Sequence, residues 1–183
     1  MLLHALLPSP VGTLTLVASD AGLAAVLWEN DDPRRVPWAA ASVAGEHPAL
    51  AETARQLGEY FAGERRSFAL PLDFRGTAFQ RLVWEALIAI PYGETRSYGE
   101  IAAAVGSPKA VRAVGAANGR NPISIVAPCH RVVGASGRLT GFAGGLAAKV
   151  RLLTLESGAP FGNGLFRASA ADARPPVQAP GAR

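Results

Sequence analysis

A chain of 183 residues, 49% hydrophobic and 17% charged, can bury a real core as one large domain or two small ones. Its one cysteine excludes an intramolecular disulfide, no Cys/His cluster has zinc-ligand spacing, and no apolar run approaches a membrane span. The net charge of +4 is unevenly spread: residues 1–75 carry six Lys/Arg against nine Asp/Glu, residues 76–158 nine against four, and residues 159–183 three against one. A basic second half suits a polyanionic partner such as nucleic acid, although a solvated surface has the same composition. The single cysteine fits a reducing cytoplasm, and the start, MLLHALLPSP, lacks a positive n-region and is interrupted by prolines, so it reads as a strand and not a signal peptide.

In chain order, residues 2–7, 11–18 and 23–28 are short, apolar and partly alternating, with Pro8-Ser9-Pro10, Gly12 and Ser19-Asp20-Ala21-Gly22 supplying turns between them. The expected product is an antiparallel meander. A loop over 30–48 leads to a helix over 49–61, with Leu50, Ala54, Leu57 and Phe61 on its apolar face and Gly63 at its end. Residues 68–74 read as a short extended piece. His4 and His47 have no partner that the sequence identifies and read as structural or surface residues.

From Thr77 the texture changes to helices. Phe79, Leu82, Val83, Ala86, Leu87 and Ile90 form a stripe that stops at Pro91-Tyr92-Gly93. Ser97 and Glu100 make a capping box that opens a helix ending at Gly106. Ser107 is expected to cap the next helix, with Pro108 in its first turn and residues 109–118 as its body. Such a pair is a helix-turn-helix or an ordinary helical corner. A helix that reads bases in the major groove presents several long polar side chains, and this one offers few, with Lys109 and Arg112 on one face and mostly Ala, Val or Gly elsewhere. Small side chains suit close, sequence-independent approach to a minor groove, with Arg112 as the long cation able to enter the duplex. A last helix is expected over 146–157, and the Pro/Ala/Gly/Arg-rich tail, 159–183, is expected to be disordered.

The single cysteine, Cys129, stands between Pro128 and His130, with apolar strand-like residues on both sides. A lone cysteine is by habit a buried structural residue. It becomes a nucleophile only as thiolate, a form that a neighbouring imidazole favours. The glycine-rich segments 134–137 and 141–145 follow, and Phe142 offers a stacking wall for a flat ligand.

Pro128-Cys129-His130-Arg131-Val132, preceded by Asn121-Pro122 and followed by Gly-Phe-Ala-Gly-Gly-Leu at 141–146, resembles the active-site signature of the O6-alkylguanine-DNA alkyltransferases, bacterial two-domain type. The likeness extends through Pro91-Tyr92-Gly93-Glu94-Thr95, Ser97-Tyr98 and Ala110-Val111-Arg112-Ala113-Val114-Gly115. It is strong over 77–158 and looser before that. It implies an α/β N-terminal domain (antiparallel β-ribbon plus helix, RNase H-like) over 1–75 and a mostly α-helical C-terminal domain with a helix-turn-helix over 76–158. The implied activity is DNA repair: a damaged guanine is flipped from the duplex and its O6-alkyl group passes irreversibly to the protein.

By that resemblance Cys129 is the nucleophile, His130 its base acting through a water, and Glu156 the group that orients the imidazole. Asn121 matches a hinge residue, Tyr98 a residue at the 3′ phosphate that can donate to the leaving purine, and Lys149 a second donor. Arg112 matches the finger that fills the space of the flipped base. Tyr98, Gly99, Ser107, Lys109, Arg112 and Ala113 form the implied DNA surface, and Val132, Phe142 and Ala143 the pocket, where carbonyls of Cys129 and Val132 read the guanine amino group. The implied partner is double-stranded DNA bearing O6-alkylguanine, bound by a monomer without cofactor, metal or membrane. Alkyl size range, O4-alkylthymine and cooperative loading on DNA are open at this level.

Phe142 stands where many members have Tyr, and Ala127 where a larger apolar residue is common. The competing readings are a damage-binding module without transfer, a helix-turn-helix regulator and a thiol hydrolase. Relatives of the first kind lack the cysteine. The short side chains of the second helix argue against a regulator, and no family feature supports a peptide or ester substrate.

Overall fold

The computed structural model describes residues 1–158, and the tail 159–183 lies outside the described residues. Strands β1 (Leu3–Ser9), β2 (Gly12–Ser19) and β3 (Gly22–Leu27) pair antiparallel as consecutive hairpins. The meander is extended by a strand that the sequence reading missed. Within the loop 30–48, a 3-10 turn (Pro37–Ala41) precedes β4 (Val43–Ala44), which pairs parallel to β1 and gives the order β3-β2-β1-β4. Alternation divides the sheet: Leu14, Leu16 and Ala18 face one core, while Val17 and Ala25 meet Val36 and Ala39 on the other side.

Helix α1 (Pro48–Phe61) covers the first face. His47 caps it, its ring accepting from the Ala49 N–H at 3.1 Å, and Pro48 needs no donor in the first turn. The buried residues are Leu50, Thr53, Gln56, Leu57 and Tyr60. The helix is therefore rotated from the expected face: Tyr60 points inward, where its hydroxyl finds an acceptor, and Phe61 is only partly buried. The segment 68–74 is not a full strand. It touches the sheet at a single parallel bridge, Leu23–Leu72, with the Leu23 N–H donating to the Pro71 carbonyl at 2.9 Å.

The C-terminal domain is helical. α2 (Ala78–Ile88) starts at a Thr77/Gln80 capping box and α3 (Tyr98–Ala104) at the Ser97/Glu100 box. Ser107 does not cap the next helix. The Ala110 N–H donates to the Ser107 carbonyl at 2.8 Å, closing a turn with Pro108 in its favoured second position, so α4 (Val111–Gly119) begins after Ala110 without a side-chain cap. Lys109 is accordingly a turn residue and not a helical one. α2, α3 and α4 enclose a second core that includes Val83, Trp84, Ile101, Val114, Cys129 and Val132. β5 (Arg96–Ser97) and β6 (Val132–Val133) pair parallel, and α5 (Gly145–Ser157) ends the described chain at Gly158, φ +68°.

Ile123, Ile125, Val126, Ala148 and Leu152 of the second half pack in the first core. The Val26 N–H of β3 donates to the Pro122 carbonyl at 2.9 Å, so the edge of the N-terminal sheet holds the turn that leads to Cys129. Among the described residues no helix is long and apolar enough to cross a membrane.

Gly22 lies at φ +136°, and a Cβ there would stand 2.3 Å from the Pro71 carbonyl oxygen. Gly22→Ala is expected to lower stability by about 1–3 kcal/mol. Gly58→Ala, on the exposed face of α1 with nothing among the described residues within 4 Å of the added carbon, is expected to raise it by about 0.5–1 kcal/mol. Urea unfolding of both variants checks the pair.

Candidate active site

The segment 121–133 straddles the two cores and is tied at both ends. Asn121, fully buried, donates from Nδ2 to the Ala127 carbonyl at 2.8 Å and accepts from the Ile123 N–H at 3.1 Å. Between them Ile125 sits at φ +72°, a left-handed conformation that costs a β-branched residue and persists only where its surroundings enforce it. Cys129 then opens a 3-10 turn (Cys129–Arg131), its N–H on the Ala127 carbonyl at 2.8 Å. β6 follows at once and pairs with β5, so the pairing that fixes the cysteine segment also sets Tyr98, which begins α3 directly after β5.

The Glu156 carboxylate is the hub of the site. Its Oε1 lies 2.7 Å from His130 Nε2 and accepts from Arg131 Nη2 at 2.9 Å and the Tyr60 hydroxyl at 2.7 Å. Its Oε2 accepts from Arg131 Nε at 2.8 Å and the Gly93 N–H at 3.4 Å. Arg131 completes its own shell on the Ile90 carbonyl at 2.6 Å. Burial alone would raise the Glu156 carboxyl, but hydrogen bonds and charge from His130 and Arg131 outweigh it and hold it at about 2. The His130 imidazole is pushed down, first by burial and then by the Arg131 and Lys149 charges, against the pull of Glu156. The resting ring is therefore neutral beside an ionised carboxylate. With Nε2 on Glu156, Nδ1 is buried without a partner among the described residues and is the open proton acceptor.

Burial pushes the Cys129 thiol up, while a hydrogen bond from Asn121 and the Arg35 and Lys149 charges pull the other way. Lys149, fully buried, donates to the Val132 carbonyl at 2.6 Å, and its Nζ stands 5.9 Å from the Phe142 ring centroid. That carbonyl keeps one lone pair for a ligand. The Val132 side chain belongs to the second core and does not line the cavity.

Cys129 opens on a cavity of about 580 Å³ lined also by Phe142, Ala143, Asn118 and Arg35. Phe142 stacks edge-on against Trp28, centroids 5.3 Å apart, and the Trp28 indole N–H donates to Ser124 Oγ at 3.1 Å. The Tyr98 hydroxyl lies 2.6 Å from Thr140 Oγ1, bridging α3 to the pocket loop. Asn118 Oδ1 is buried beside the cavity without a partner among the described residues, an unfilled polar position on its wall. On the outer surface Gly99, Lys109, Arg112 and Ala113 are exposed and Ser107 is half-buried.

His130 and Glu156 are thus paired at 2.7 Å, His130 follows Cys129 in the same 3-10 turn, and Asn121 and Lys149 act on the thiol. Four further residues escaped sequence reasoning. Arg131 was legible only as part of the motif, although a basic residue next to a buried acid–imidazole pair is a signal. Arg35, paired with Asp31, donates to the Asn121 carbonyl from the N-terminal domain. Tyr60 and Trp28 reach the site across 96 positions each, to Glu156 and Ser124, and nothing local marks them.

Burial brings the Lys149 ammonium down from 10.5 to about 8, with Cys129 opposing. Between those values the unfolded chain binds the extra proton and the folded one does not, so this residue makes stability rise with pH across that window. Wild type is expected to gain on Lys149→Met from pH 8 to 10.5, read by urea unfolding at both limits. An unchanged difference contradicts the assignment.

Two family models match the chain in order: 6-O-methylguanine DNA methyltransferase, ribonuclease-like domain, over residues 2–74, and 6-O-methylguanine DNA methyltransferase, DNA binding domain, over residues 78–158. A methylated-DNA–protein-cysteine methyltransferase of Mycolicibacterium paratuberculosis is 55% identical over 151 residues, covering 81% of this chain and 88% of its own. The constitutive methylated-DNA–protein-cysteine methyltransferase of Bacillus subtilis is 50% identical over 152 residues, covering 81% and 91%. The crystal structure of Mycobacterium tuberculosis OGT in complex with DNA is similar at TM-score 0.78 and 48% identity, over 86% of this chain and 95% of that one. With both halves matched and about half the residues shared across most of each relative, the chain belongs to the 6-O-methylguanine DNA methyltransferase family.

Proposed function

We propose that this protein repairs alkylated DNA by taking the alkyl group of O6-alkylguanine onto Cys129, irreversibly and once per molecule. The observation that carries the reading is the placement of the single cysteine. It stands on the wall of the cavity, next in sequence to an imidazole with one nitrogen on a buried carboxylate and the other open.

The duplex lies against the α3–α4 face, where exposed Arg112 and Ala113 offer a long cation beside a small residue. Arg112 takes the place of the flipped base and offsets part of the few kcal/mol that unstacking costs. Gly99, Ser107 and Lys109 flank the same surface with small or phosphate-binding groups. Phe142, held edge-on by Trp28, stacks on the extrahelical purine, and the Cys129 and Val132 carbonyls accept from its amino group.

The proton of the thiol passes, relayed by solvent, to His130 Nδ1, and Glu156 stabilises the imidazolium through Nε2. The thiolate attacks the alkyl carbon in line. The S–C bond forms as the C–O6 bond breaks, the bonding pair goes to the purine, and a proton from the Tyr98 and Lys149 side completes guanine. The S-alkyl thioether has no leaving path, so the protein is consumed.

The division of labour follows the charge. Residues 1–75 form the scaffold domain and 76–158 the DNA-binding, alkyl-accepting domain, a boundary supported by the ranges of the two family models and by the basic excess after residue 75. A free cysteine acting on DNA fits a protein of a reducing cytoplasm.

Incubation with duplex DNA carrying O6-methylguanine is expected to place one methyl group on the Cys129 peptide, one lesion per protein, as read by mass spectrometry. Repeated turnover or an unmodified Cys129 peptide would overturn the reading. Cys129→Ser is expected to abolish transfer while leaving DNA binding, which should weaken steeply with salt, largely intact.

A further inference from the structure

We propose that Tyr60, a residue of the N-terminal domain, is a positioning residue for the transfer: its hydroxyl, donating to Glu156 Oε1, draws charge from the carboxylate and so sets how firmly His130 holds a proton. This rests on the reading above of His130 as the base.

Tyr60 is fully buried, and its hydroxyl reaches Glu156 Oε1 at 2.7 Å. That oxygen is shared by three groups: Tyr60, Arg131 Nη2 and His130 Nε2. Donors on one carboxylate oxygen compete for its charge, so each weakens the acceptor that the others see. A merely packed ring would not need the hydroxyl. Tyr60 already packs against Phe61, Phe68 and Tyr92, centroids 5.4, 5.5 and 6.2 Å away, and α1 carries an apolar alternative at the next position. The chain nevertheless turns the phenol inward. Burial, and then the negative Glu156, push the Tyr60 hydroxyl far above its ordinary value, so it remains a donor.

The groups facing the Glu156–His130 pair come from four elements. They are Tyr60 on α1, Tyr92 and the Gly93 N–H after α2, Arg131 on the 3-10 turn, and Lys149 on α5 itself. Arg66 and Arg131 lie over the Tyr92 ring. Of the two tyrosines only Tyr60 bonds the carboxylate, since the Tyr92 hydroxyl donates to the Leu155 carbonyl at 3.3 Å.

Removing the Tyr60 hydroxyl returns charge to Glu156, which then stabilises the His130 imidazolium more strongly. The imidazole protonates at higher pH and is lost as a base there. In Tyr60→Phe the acidic limb of the pH–rate profile for methyl transfer is expected to move up by roughly half a unit or more, with DNA affinity unchanged. Tyr92→Phe is expected to leave the limb in place. The profile is measured on the full chain with O6-methylguanine duplex, by mass of the Cys129 peptide under single-turnover conditions. An unmoved limb in Tyr60→Phe, with or without a uniform loss of rate, overturns the proposal, and so does an equal shift in Tyr92→Phe. Titration of the His130 ring signals in the free protein reads the same shift without DNA. A wild type that transfers no methyl therefore sinks the functional reading separately from this one.

Discussion

The Glu156 carboxylate is the constraint on which the rest of the site depends. It sits near the C-terminal end of α5, the end where an anion is disfavoured by the helix dipole, and it is nearly out of solvent. Such a charge survives only with strong partners. Arg131 supplies a bidentate pair, and His130, Tyr60 and the Gly93 N–H occupy the rest of its acceptor capacity. These partners arrive from both domains. One ionised carboxylate thus joins the halves of the chain and sets the electrostatics of the histidine next to Cys129.

The thiol is held in the opposite balance. Burial favours neutral Cys129, while Asn121, Arg35 and Lys149 are arranged to favour the anion. The supporting dipoles and charges are in place before any substrate arrives, which lets them act on the charge that develops during attack without reorganisation. On the proposed reading, Cys129 accepts one group and is finished.

Much of this was legible in the sequence, because the devices involved are local. Turn residues bounded the first three strands, Ser97 and Glu100 marked the start of α3, and the cysteine motif pointed to the segment that reaches the cavity wall. The misses were of three kinds. Two-residue parallel pairings such as β1 with β4 and β5 with β6 have no periodicity to read. Ser107 looked like a cap but closes a turn around Pro108. The inward face of α1 was misjudged because polarity alone ranks Phe61 above Tyr60, and only the distant Glu156 makes the tyrosine the better buried residue. Arg35 and Trp28 likewise act through partners about 90 positions away, Asn121 at 86 and Ser124 at 96.

The most direct measurement of the central claim is the proton position on His130, read from the ¹⁵N signals of its ring in the free protein at neutral pH. A neutral ring protonated at Nε2, with Nδ1 bare, is the result that the Glu156 hub requires. A ring protonated at Nδ1, or an imidazolium at rest, would contradict it.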